Sequence, residues 1–575
     1  MKSIFKHISP CLVAVALVAA GCSDSMDTTP KGSQVLGSTL ASDPSSVSGL
    51  VNGMYSDMIE AEAIKSWAGA SRHYDFGYAS TMLMMDNDGQ DEVSRNTGYN
   101  WYRNNLRYTD RTATSEITYF LWNQMYKLIG QANSVLSSTE NPATDEARGY
   151  RGQGLAMRAF AYLNLAQMYQ FTYKGHETAP CVPIVTETMT AEEKANNPRA
   201  TVQAVYDRIL ADLDSAIVDL DGATTTGKGQ IGQAAAYGLR ARANLIMQNW
   251  KAAAADAESA ISVSKAEPLS LDEAAAPGFN DISAHNWIWG MDINETSDVV
   301  QTGILNFPSM MSSFTGNGYS PNYAPKFINS KLYNEIDTTD VRRGWWLDGN
   351  GNTPIVPAGY MDKEVGADGS VTVYCLTAEK DTNTAFAEWH PYINVKFCSY
   401  QNKYGNETNA CDVPLMRVEE MYLIKAEAKA MGGDVEGGKK VLVDFVRAYR
   451  DPKYTCKATT ADGVQEAVWF QRRVELWGEG FSFFDLMRLK KPVDRRGANY
   501  ESSVTYYIPA ESQIMLYIIP EDEVNNNRGI KAEDNNPVAA IPKPVKVGDN
   551  TASSARKFNV NGLQTHAVSG VARMK

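Results

Sequence analysis

The chain has 575 residues, 43% of them hydrophobic, so it is long enough to bury a large core and, in principle, more than one subdomain. Its formal net charge of −13 repels nucleic-acid phosphates in the mean field, which argues against a nucleic-acid partner. The same charge favours a neutral ligand over an anionic one, unless a local basic patch overrides the average.

The N-terminal residues predict an export signal. The apolar stretch at residues 12–20 is too short to cross a bilayer, which needs about twenty apolar residues. Ala-Ala-Gly immediately before Cys22 resembles the lipobox of bacterial lipoproteins, which implies that residues 1–21 are removed and that the Cys22 thiol is lipidated. The alternative is an ordinary secretory signal with a cysteine near its cleavage point. Residues 22–43, rich in Ser, Thr, Asp and Gly, predict a flexible tether.

Long segments of the following chain show helical periodicity. In one of them Ile209, Leu213 and Ile217 recur every four residues and form a single apolar stripe with charged residues opposite. Similar patterns predict helices at residues 47–63, 114–137, 145–171, 200–220, 232–248, 250–264, 413–431 and 434–449.

Two of these predicted helices carry small residues where they would cross. Trp250 follows a two-residue turn, and the alanines on either side of that turn are Ala241, Ala243, Ala253, Ala257 and Ala260. Small residues allow two helices to approach closely, as in the tetratricopeptide helix-turn-helix that this segment resembles. Residues 421–449 resemble a second, weaker copy.

Residues 265–412 lose this periodicity and are rich in Gly, Pro, Asn, Asp and aromatic residues. Within them, residues 286–293 and 371–374 predict short strands, and residues 325–335 predict one short helix. Loops that project from a rigid scaffold are where binding residues concentrate, so we expect this region to bind the ligand.

The predicted fold is therefore mostly α. A tetratricopeptide-like scaffold of helical pairs occupies about residues 44–264 and 413–490, and a loop-rich insertion with short β-strands occupies about residues 265–412. We expect residues 44–575 to form a single domain.

Two motifs connect the chain to a known family. Residues 158–165 are Arg-Ala-Phe-Ala-Tyr-Leu-Asn-Leu, and residues 472–488 contain Arg-Arg-Val-Glu-Leu, then Glu-Gly, then Phe-Asp-Leu-Met-Arg. Both resemble signature segments of the SusD/RagB family of outer-membrane nutrient-binding lipoproteins. The resemblance implies a SusD-like, non-catalytic, cell-surface protein that captures oligo- or polysaccharide and delivers it to a SusC-like TonB-dependent transporter. It also implies attachment to the outer membrane through lipidated Cys22.

The charged residues of the second motif have a structural explanation. Acidic and basic side chains alternate there at helical spacing and can form ion pairs. Glu475 and Glu479 lie about one helical turn apart, as a catalytic carboxylate pair could, but the neighbouring arginines would keep both ionised. We therefore predict no catalytic residue.

Metal and cofactor motifs are not evident in the sequence. The five cysteines after Cys22 include no Cys-x-x-Cys pair, and the acidic run at residues 86–91 lacks the spacing of an EF-hand, so it predicts a solvated loop. We expect neither a metal nor a cofactor. A disulfide between Cys398 and Cys411 is chemically permitted in an extracytoplasmic compartment.

Candidate ligand contacts are aromatic and amide side chains in loops rich in Gly, Asn and Pro. The apolar C–H face of a sugar ring packs on an aromatic plane, while polar side chains hydrogen-bond its hydroxyl groups. Residues 96–104 and 317–323 interleave the two kinds of side chain. The candidates are Trp67, Asn100, Trp101, Tyr102, Tyr319, Tyr323, Trp345 and Trp346. Trp287 and Trp289, on a predicted strand, are expected to be buried.

Three alternatives to glycan capture remain open at this point. A peptide or glycopeptide could occupy the same kind of aromatic cleft. A surface glycoside hydrolase would need two carboxylates that flank the ligand at a fixed separation, and no loop motif nominates such a pair. A tetratricopeptide scaffold that binds other proteins would retain no carbohydrate.

Overall fold

The computed structural model of the protein describes residues 44–64, 72–376 and 385–545. The helices before residue 265 are α1 Pro44–Ser56, α2 Tyr78–Asp88, α3 Arg103–Leu106, α4 Glu116–Ser138, α5 Asp145–Tyr169, α6 Ala191–Ala195, α7 Val202–Asp219, α8 Gln233–Ile246 and α9 Trp250–Ser264. The later helices are α10 Leu271–Ala275, α11 Asp298–Gln301, α12 Phe307–Met311, α13 Ser330–Glu335, α14 Val418–Met431, α15 Val435–Tyr449, α16 Ala461–Glu475, α17 Ser482–Arg488 and α18 Glu521–Asn526. The predicted signal peptide and tether, with Cys22, lie outside the described residues.

The long helices pack against one another in chain order. α4 packs on α5, α5 on α7, α7 on α8, α8 on α9, α9 on α14, and α14 on both α15 and α16. α9 and α14 are in contact although the whole loop-rich region lies between them in the sequence. The chain therefore leaves the helical stack after α9 and returns to it at α14. This arrangement confirms the predicted, mostly helical scaffold with an insertion.

The close crossings in this stack use the alanines that the sequence singles out. All five alanines of the α8–α9 hairpin are fully buried, and so are Ala426, Ala428 and Ala430 of α14. Trp250 lies at the corner between the hairpins: a Cβ atom placed on Gly432, just after α14, would stand 3.3 Å from the Cβ of Trp250. Small side chains therefore set the spacing between consecutive helices, as in tetratricopeptide repeats.

Short antiparallel sheets connect the insertion to the scaffold. The strands are β1 Glu92–Ser94, β2 Trp287–Met291, β3 Lys326–Ile328, β4 Met361–Val365, β5 Val371–Leu376, β6 Ala385–Trp389, β7 Val413–Arg417, β8 Val493–Asp494 and β9 Tyr507–Ile508. β1 pairs with β3, β2 with β7, β5 with both β4 and β6, and β8 with β9. Pairing of β2 with β7 brings the beginning and the end of the insertion together beside α14.

β2 and β5 confirm the two predicted strands, and the predicted burial of Trp287 and Trp289 is also confirmed. Two predicted helices begin later than expected. Residues 413–417 form β7 instead of the first turn of a helix, because their backbone pairs with β2 and all five side chains are buried. Residues 326–328 form β3 for the same reason, since they pair with β1.

The second signature motif builds a buried ion network. Glu475 at the end of α16 is fully buried, and its ion-pair partners are Arg342 at 3.1 Å, Arg417 at 3.0 Å and Arg450 at 2.7 Å. Burial raises the pKa of Glu475, but these arginines outweigh it and hold the pKa well below its usual range. Glu479 pairs with Arg417 at 2.8 Å, and its pKa is likewise lowered against the effect of burial. Both carboxylates are ionised and enclosed, which confirms the ion-pair prediction.

Residues 86–91 are not the solvated loop that the sequence predicts. Asp86 and Asp88 lie in the last turn of the buried helix α2, where donors from within the protein reach their carboxyl groups. Asp86 accepts hydrogen bonds from the backbone N–H of Gly480 at 2.7 Å, and Asp88 pairs with Arg111 at 2.7 Å. Across the described ranges, no cluster of three or more His, Cys, Asp or Glu side chains is arranged to hold a metal ion.

The disulfide between Cys398 and Cys411 that the sequence permits is not formed in the structure. Both residues are buried free thiols, with the Cys411 sulfur 3.8 Å from the carbonyl oxygen of Cys398. Among the helices of the described ranges, none is both long enough and apolar enough to cross a membrane.

Candidate ligand-binding site

Two loops from different parts of the chain emerge side by side because of one strand pair. β1 and β3 are antiparallel, with Ser94 opposite Lys326. The loop that leaves β1 and the loop that enters β3 therefore start at the same end of this small sheet. They contain most of the two segments that the sequence selects, residues 96–104 and 317–323.

Four aromatic rings from these loops and the imidazole of His73 form one continuous cluster, which we call the aromatic platform: His73, Tyr99, Trp101, Tyr319 and Tyr323. The ring centroids of Tyr99 and Tyr323 lie 4.8 Å apart, those of Trp101 and Tyr319 6.3 Å apart, and those of His73 and Trp101 4.4 Å apart. Tyr99 is 56% exposed and Tyr323 is 51% exposed, and the other three rings are partly exposed. The platform is thus open to solvent along its length.

Backbone and side-chain hydrogen bonds hold the platform in place. The Tyr319 hydroxyl is hydrogen-bonded to Nδ1 of His73, and the Tyr319 backbone N–H donates to the carbonyl of Ser309 at 2.8 Å. A Cβ atom on Gly318 would stand 2.6 Å from the Ser309 Cα, so only glycine allows this close approach. Asn322 is held by β6, since its side-chain amide donates to the carbonyl of Phe386 at 3.2 Å. The rings are preorganised rather than free.

The platform itself is uncharged. Burial lowers the pKa of the His73 imidazole, while Glu62 opposes that shift. Burial also raises the pKa of the Tyr319 phenol. Both shifts favour the uncharged forms of His73 and Tyr319, and the platform presents apolar ring faces bordered by hydroxyl groups, which is the surface that packs on a sugar ring.

Two of the candidate residues support the platform instead of facing a ligand. Tyr102 is fully buried, and its hydroxyl lies 3.1 Å from the Ser80 hydroxyl. Asn100 is also buried; its side-chain oxygen accepts from the Tyr102 backbone N–H at 3.1 Å, and its amide donates to the Arg95 carbonyl at 2.9 Å. Asn100 therefore shapes the loop that carries Tyr99 and Trp101, and the expected ligand contacts of Asn100 and Tyr102 do not fit their burial.

Trp345 and Trp346 also differ from the expectation. Both are fully buried, Trp345 donates its indole N–H to the Ala274 carbonyl at 2.7 Å, and Trp346 packs edge-on against Trp477. They belong to the core. Trp67 lies outside the described residues.

A separate internal cavity of about 60 Å³ lies between α5, α8, α14 and α17. Arg242, Glu420 and Arg472 are among its lining residues. It is too small for a sugar ring and has room only for a few water molecules. A second pocket, of about 540 Å³, includes Arg199 and Asn536 in its lining but no aromatic side chain. We place the candidate site at the platform because, of these three places, only the platform presents aromatic ring faces on an open surface.

Comparison with known proteins assigns the chain to a family. Residues 63–245 match the family described as "Starch-binding associating with outer membrane", and residues 298–537 match the one described as "SusD family". The chain belongs to the SusD/RagB family.

Relatives of known sequence or structure agree with this assignment. SusD-like protein P38 of Formosa agariphila is 23% identical over 416 residues, which are 67% of this chain and 75% of that protein. The structure of a SusD-like carbohydrate binding protein from Bacteroides vulgatus has a TM-score of 0.67 at 21% identity, over 86% of this chain and 99% of that one. The structure of a SusD superfamily protein from Bacteroides thetaiotaomicron has a TM-score of 0.64 at 20% identity, over 86% of this chain and 100% of that one. These two structures share the fold of this SusD/RagB chain.

The structure adds His73 and Tyr99 to the platform of this SusD/RagB chain. Tyr99 lies in the same Asn- and Gly-rich loop as Trp101, and the rule that selects Trp101 could have selected it too. His73 lies outside both loops in the sequence, and the residues around it form no comparable motif. Its place beside Trp101 and Tyr319 follows only from the tertiary fold.

Proposed function

We propose that this chain is a non-catalytic cell-surface glycan-binding lipoprotein. In this proposal it captures oligo- or polysaccharide and delivers it to a SusC-like TonB-dependent outer-membrane transporter. The observation that carries the proposal is the aromatic platform, in which partly exposed rings from two loops form one preorganised surface. Sugar rings pack on such a surface through their C–H faces, and the surrounding amide and hydroxyl groups can hydrogen-bond the sugar hydroxyls.

The family and its relatives support carbohydrate as the ligand class. One matched family is described as starch-binding and associated with the outer membrane, and the Bacteroides vulgatus relative is described as a carbohydrate binding protein. Lipid attachment at Cys22 and a SusC-like partner are what membership of this family implies.

The state of the signature carboxylates supports binding without turnover. A glycosidase needs a protonated carboxylic acid and a second carboxylate beside the scissile bond. Glu475 and Glu479 are buried among arginines that keep them ionised, and neither side chain reaches the platform surface. Release of reducing sugar by the purified protein would overturn this part of the proposal.

Binding to a glycan array, using protein that lacks residues 1–22, tests the proposal. We expect at least one glycan to bind, and we expect Trp101→Ala and Tyr319→Ala each to weaken that binding by about tenfold, which corresponds to about 1.4 kcal/mol. Tyr150→Ala is the matched control, because Tyr150 is a partly exposed tyrosine on α5 that is not part of the platform and whose hydroxyl donates to Glu146 in its own helix at 2.7 Å. Unchanged affinity in both platform variants would remove the platform as the site. Retention of peptides but of no glycan would favour the peptide alternative.

A further inference from the structure

Three arginines within residues 95–107 differ from the other arginines of the described ranges. Arg95, Arg103 and Arg107 are partly exposed, and their guanidinium groups form no ion pair and donate no hydrogen bond within the described part of the chain. Each of the other arginines in those ranges pairs with a carboxylate or donates to a carbonyl oxygen. The unpaired donors are therefore concentrated in one segment.

That segment is the one that carries Tyr99 and Trp101. Residues 95–107 contain these three arginines and no acidic residue, in a chain whose net charge is −13. The Arg95 carbonyl accepts the side-chain amide of Asn100 at 2.9 Å, and the Arg103 backbone N–H donates to the Asn100 carbonyl at 2.9 Å. Asn100 thus fixes Arg95 and Arg103 at the two ends of the loop that supports the rings.

Arg103 and Arg107 are one helical turn apart. Arg103 begins α3 and Arg107 directly follows its last residue, where the Arg107 backbone N–H donates to the Arg103 carbonyl at 3.1 Å. Side chains four residues apart lie on the same side of a helix, and two like charges in this arrangement are mildly destabilising. A bound anion would satisfy both guanidinium groups.

Arg107 is connected to the platform loop through the chain around Tyr506. Burial raises the pKa of Tyr506, and the charges of Arg495 and Arg107 oppose that shift, so Arg107 lies near Tyr506. The Tyr506 hydroxyl donates to the Ser503 carbonyl at 3.3 Å, and the Ser503 hydroxyl accepts from Asn96 of the platform loop at 3.1 Å.

Two carboxylates that contact the platform loops, Glu501 and Glu388, form no ion pair with these arginines. Glu501 accepts the backbone N–H of Asn96 at 3.3 Å, and the backbone N–H of Glu388 donates to Asn322 at 3.3 Å. Neither forms an ion pair with Arg95, Arg103 or Arg107 in the structure.

We propose that the ligand of the platform is an anionic glycan, whose ring faces pack on the aromatic side chains while its carboxylate or sulfate-ester groups pair with Arg95, Arg103 and Arg107. This proposal rests on the proposed glycan-binding function and makes it more specific. It also reverses the preference for neutral ligands that the mean charge predicts, since a local patch of arginines forms charge-assisted hydrogen bonds at short range. Carboxylate and sulfate ester share the chemistry that a guanidinium group recognises.

The test is binding to neutral, carboxylated and sulfated glycans at low and high salt, with protein that lacks residues 1–22. We expect the tightest binder to be anionic, and we expect the triple variant Arg95→Gln, Arg103→Gln, Arg107→Gln to bind it at least about tenfold more weakly and with a shallower salt dependence. Comparison of carboxylated with sulfated hits identifies which anion is recognised.

The matched control is Arg148→Gln, Arg208→Gln, Arg528→Gln. It removes the same net charge from three arginines that pair with carboxylates elsewhere on the molecule. Equal loss of affinity in the control would mean that only the overall charge matters, which would overturn the proposal. If the platform triple variant does not fold, the single variants Arg103→Gln and Arg107→Gln answer the same question.

The outcomes separate this inference from the proposed function. A neutral glycan that binds most tightly and depends on Trp101 would overturn the anionic ligand and leave glycan binding intact. An anionic glycan that the triple variant binds as tightly as the unmodified protein would do the same. Failure to bind any glycan, neutral or anionic, would overturn both.

Discussion

Three buried arginines surround the carboxylate of Glu475, which gives this single residue a large effect on stability. Transfer of charged groups from water into a protein interior is costly, and the cost is offset only while each charge keeps its partners. Removal of one member leaves the others buried and uncompensated. The burial and the ion pairs of the signature glutamate are therefore explained by its place in the fold.

We expect Glu475→Gln to lower the free energy of unfolding by about 3–5 kcal/mol, measured by denaturant unfolding at pH 7. The control is Lys440→Ala, which breaks an exposed ion pair with Asp444 on α15 and should cost no more than about 0.5 kcal/mol. Similar losses of unfolding free energy in Glu475→Gln and Lys440→Ala would contradict a stabilising role of the ion network.

Because the folded-state pKa of Glu475 is depressed, the stability that it contributes should be complete above about pH 5 and should disappear as the pH falls toward the folded-state pKa. The free energies of unfolding of Glu475→Gln and of the unmodified protein should therefore become more similar in acid.

Single residues also show where sequence reasoning about the site succeeds and where it fails. Loop composition selects Trp101, Tyr319 and Tyr323, and the fold brings all three together. The same rule selects Trp345, which the fold buries completely, because composition does not determine which side of a loop faces solvent. Ligand contact by the platform rings stays a prediction.

At the scale of elements, periodicity predicts the long helices well, since the apolar stripe that it detects is the face that packs on the next helix. The differences occur where pairing decides the outcome. β7 and β3 lie at the starts of predicted helices, and each becomes a strand because a distant partner, β2 or β1, is available. A local pattern contains no information about such partners.

The α14–α15 crossing gives a prediction at this scale. A Cβ atom on Gly438 of α15 would stand 2.5 Å from the Ala426 carbonyl oxygen and 2.7 Å from the Ala430 Cβ. We expect Gly438→Ala to separate the helices and to cost about 1–3 kcal/mol in thermal or denaturant unfolding, although alanine favours a helix. The control is Gly130→Ala on α4, where nothing lies within 4 Å of the added atom, and it should stabilise by up to about 1 kcal/mol. An increase in stability for both variants would show that the crossing tolerates a methyl group.

At the scale of the whole molecule, the sequence indicates which segments are helical but not that α9 meets α14 across the insertion. The alanines on both helices make that contact possible without specifying it. The closing segment has a comparable long-range role. Asn536 is buried, and its side-chain amide donates to the carbonyls of Tyr169 at 2.8 Å and Tyr517 at 2.7 Å. Its side-chain oxygen accepts from Arg199 at 3.0 Å. It connects the end of α5 to the C-terminal part of the chain.

This contact sets where the chain can be shortened. After Pro537, where the family match ends, Val538 is 68% exposed and Ile541 is 53% exposed, and Val545 donates one backbone hydrogen bond to Thr505 at 2.8 Å. We expect a protein that ends at Pro537 to lose no more than about 1 kcal/mol of unfolding free energy, because residues 538–545, the described part of the removed segment, bury little apolar surface and donate one backbone hydrogen bond. In the full-length protein, we expect Asn536→Ala to lower the free energy of unfolding by about 1–3 kcal/mol, since it leaves the carbonyls of Tyr169 and Tyr517 without this donor. Thermal unfolding checks that the truncated protein loses less stability than Asn536→Ala. A larger loss of stability in the truncated protein would show that the residues after Pro537 contribute to the fold.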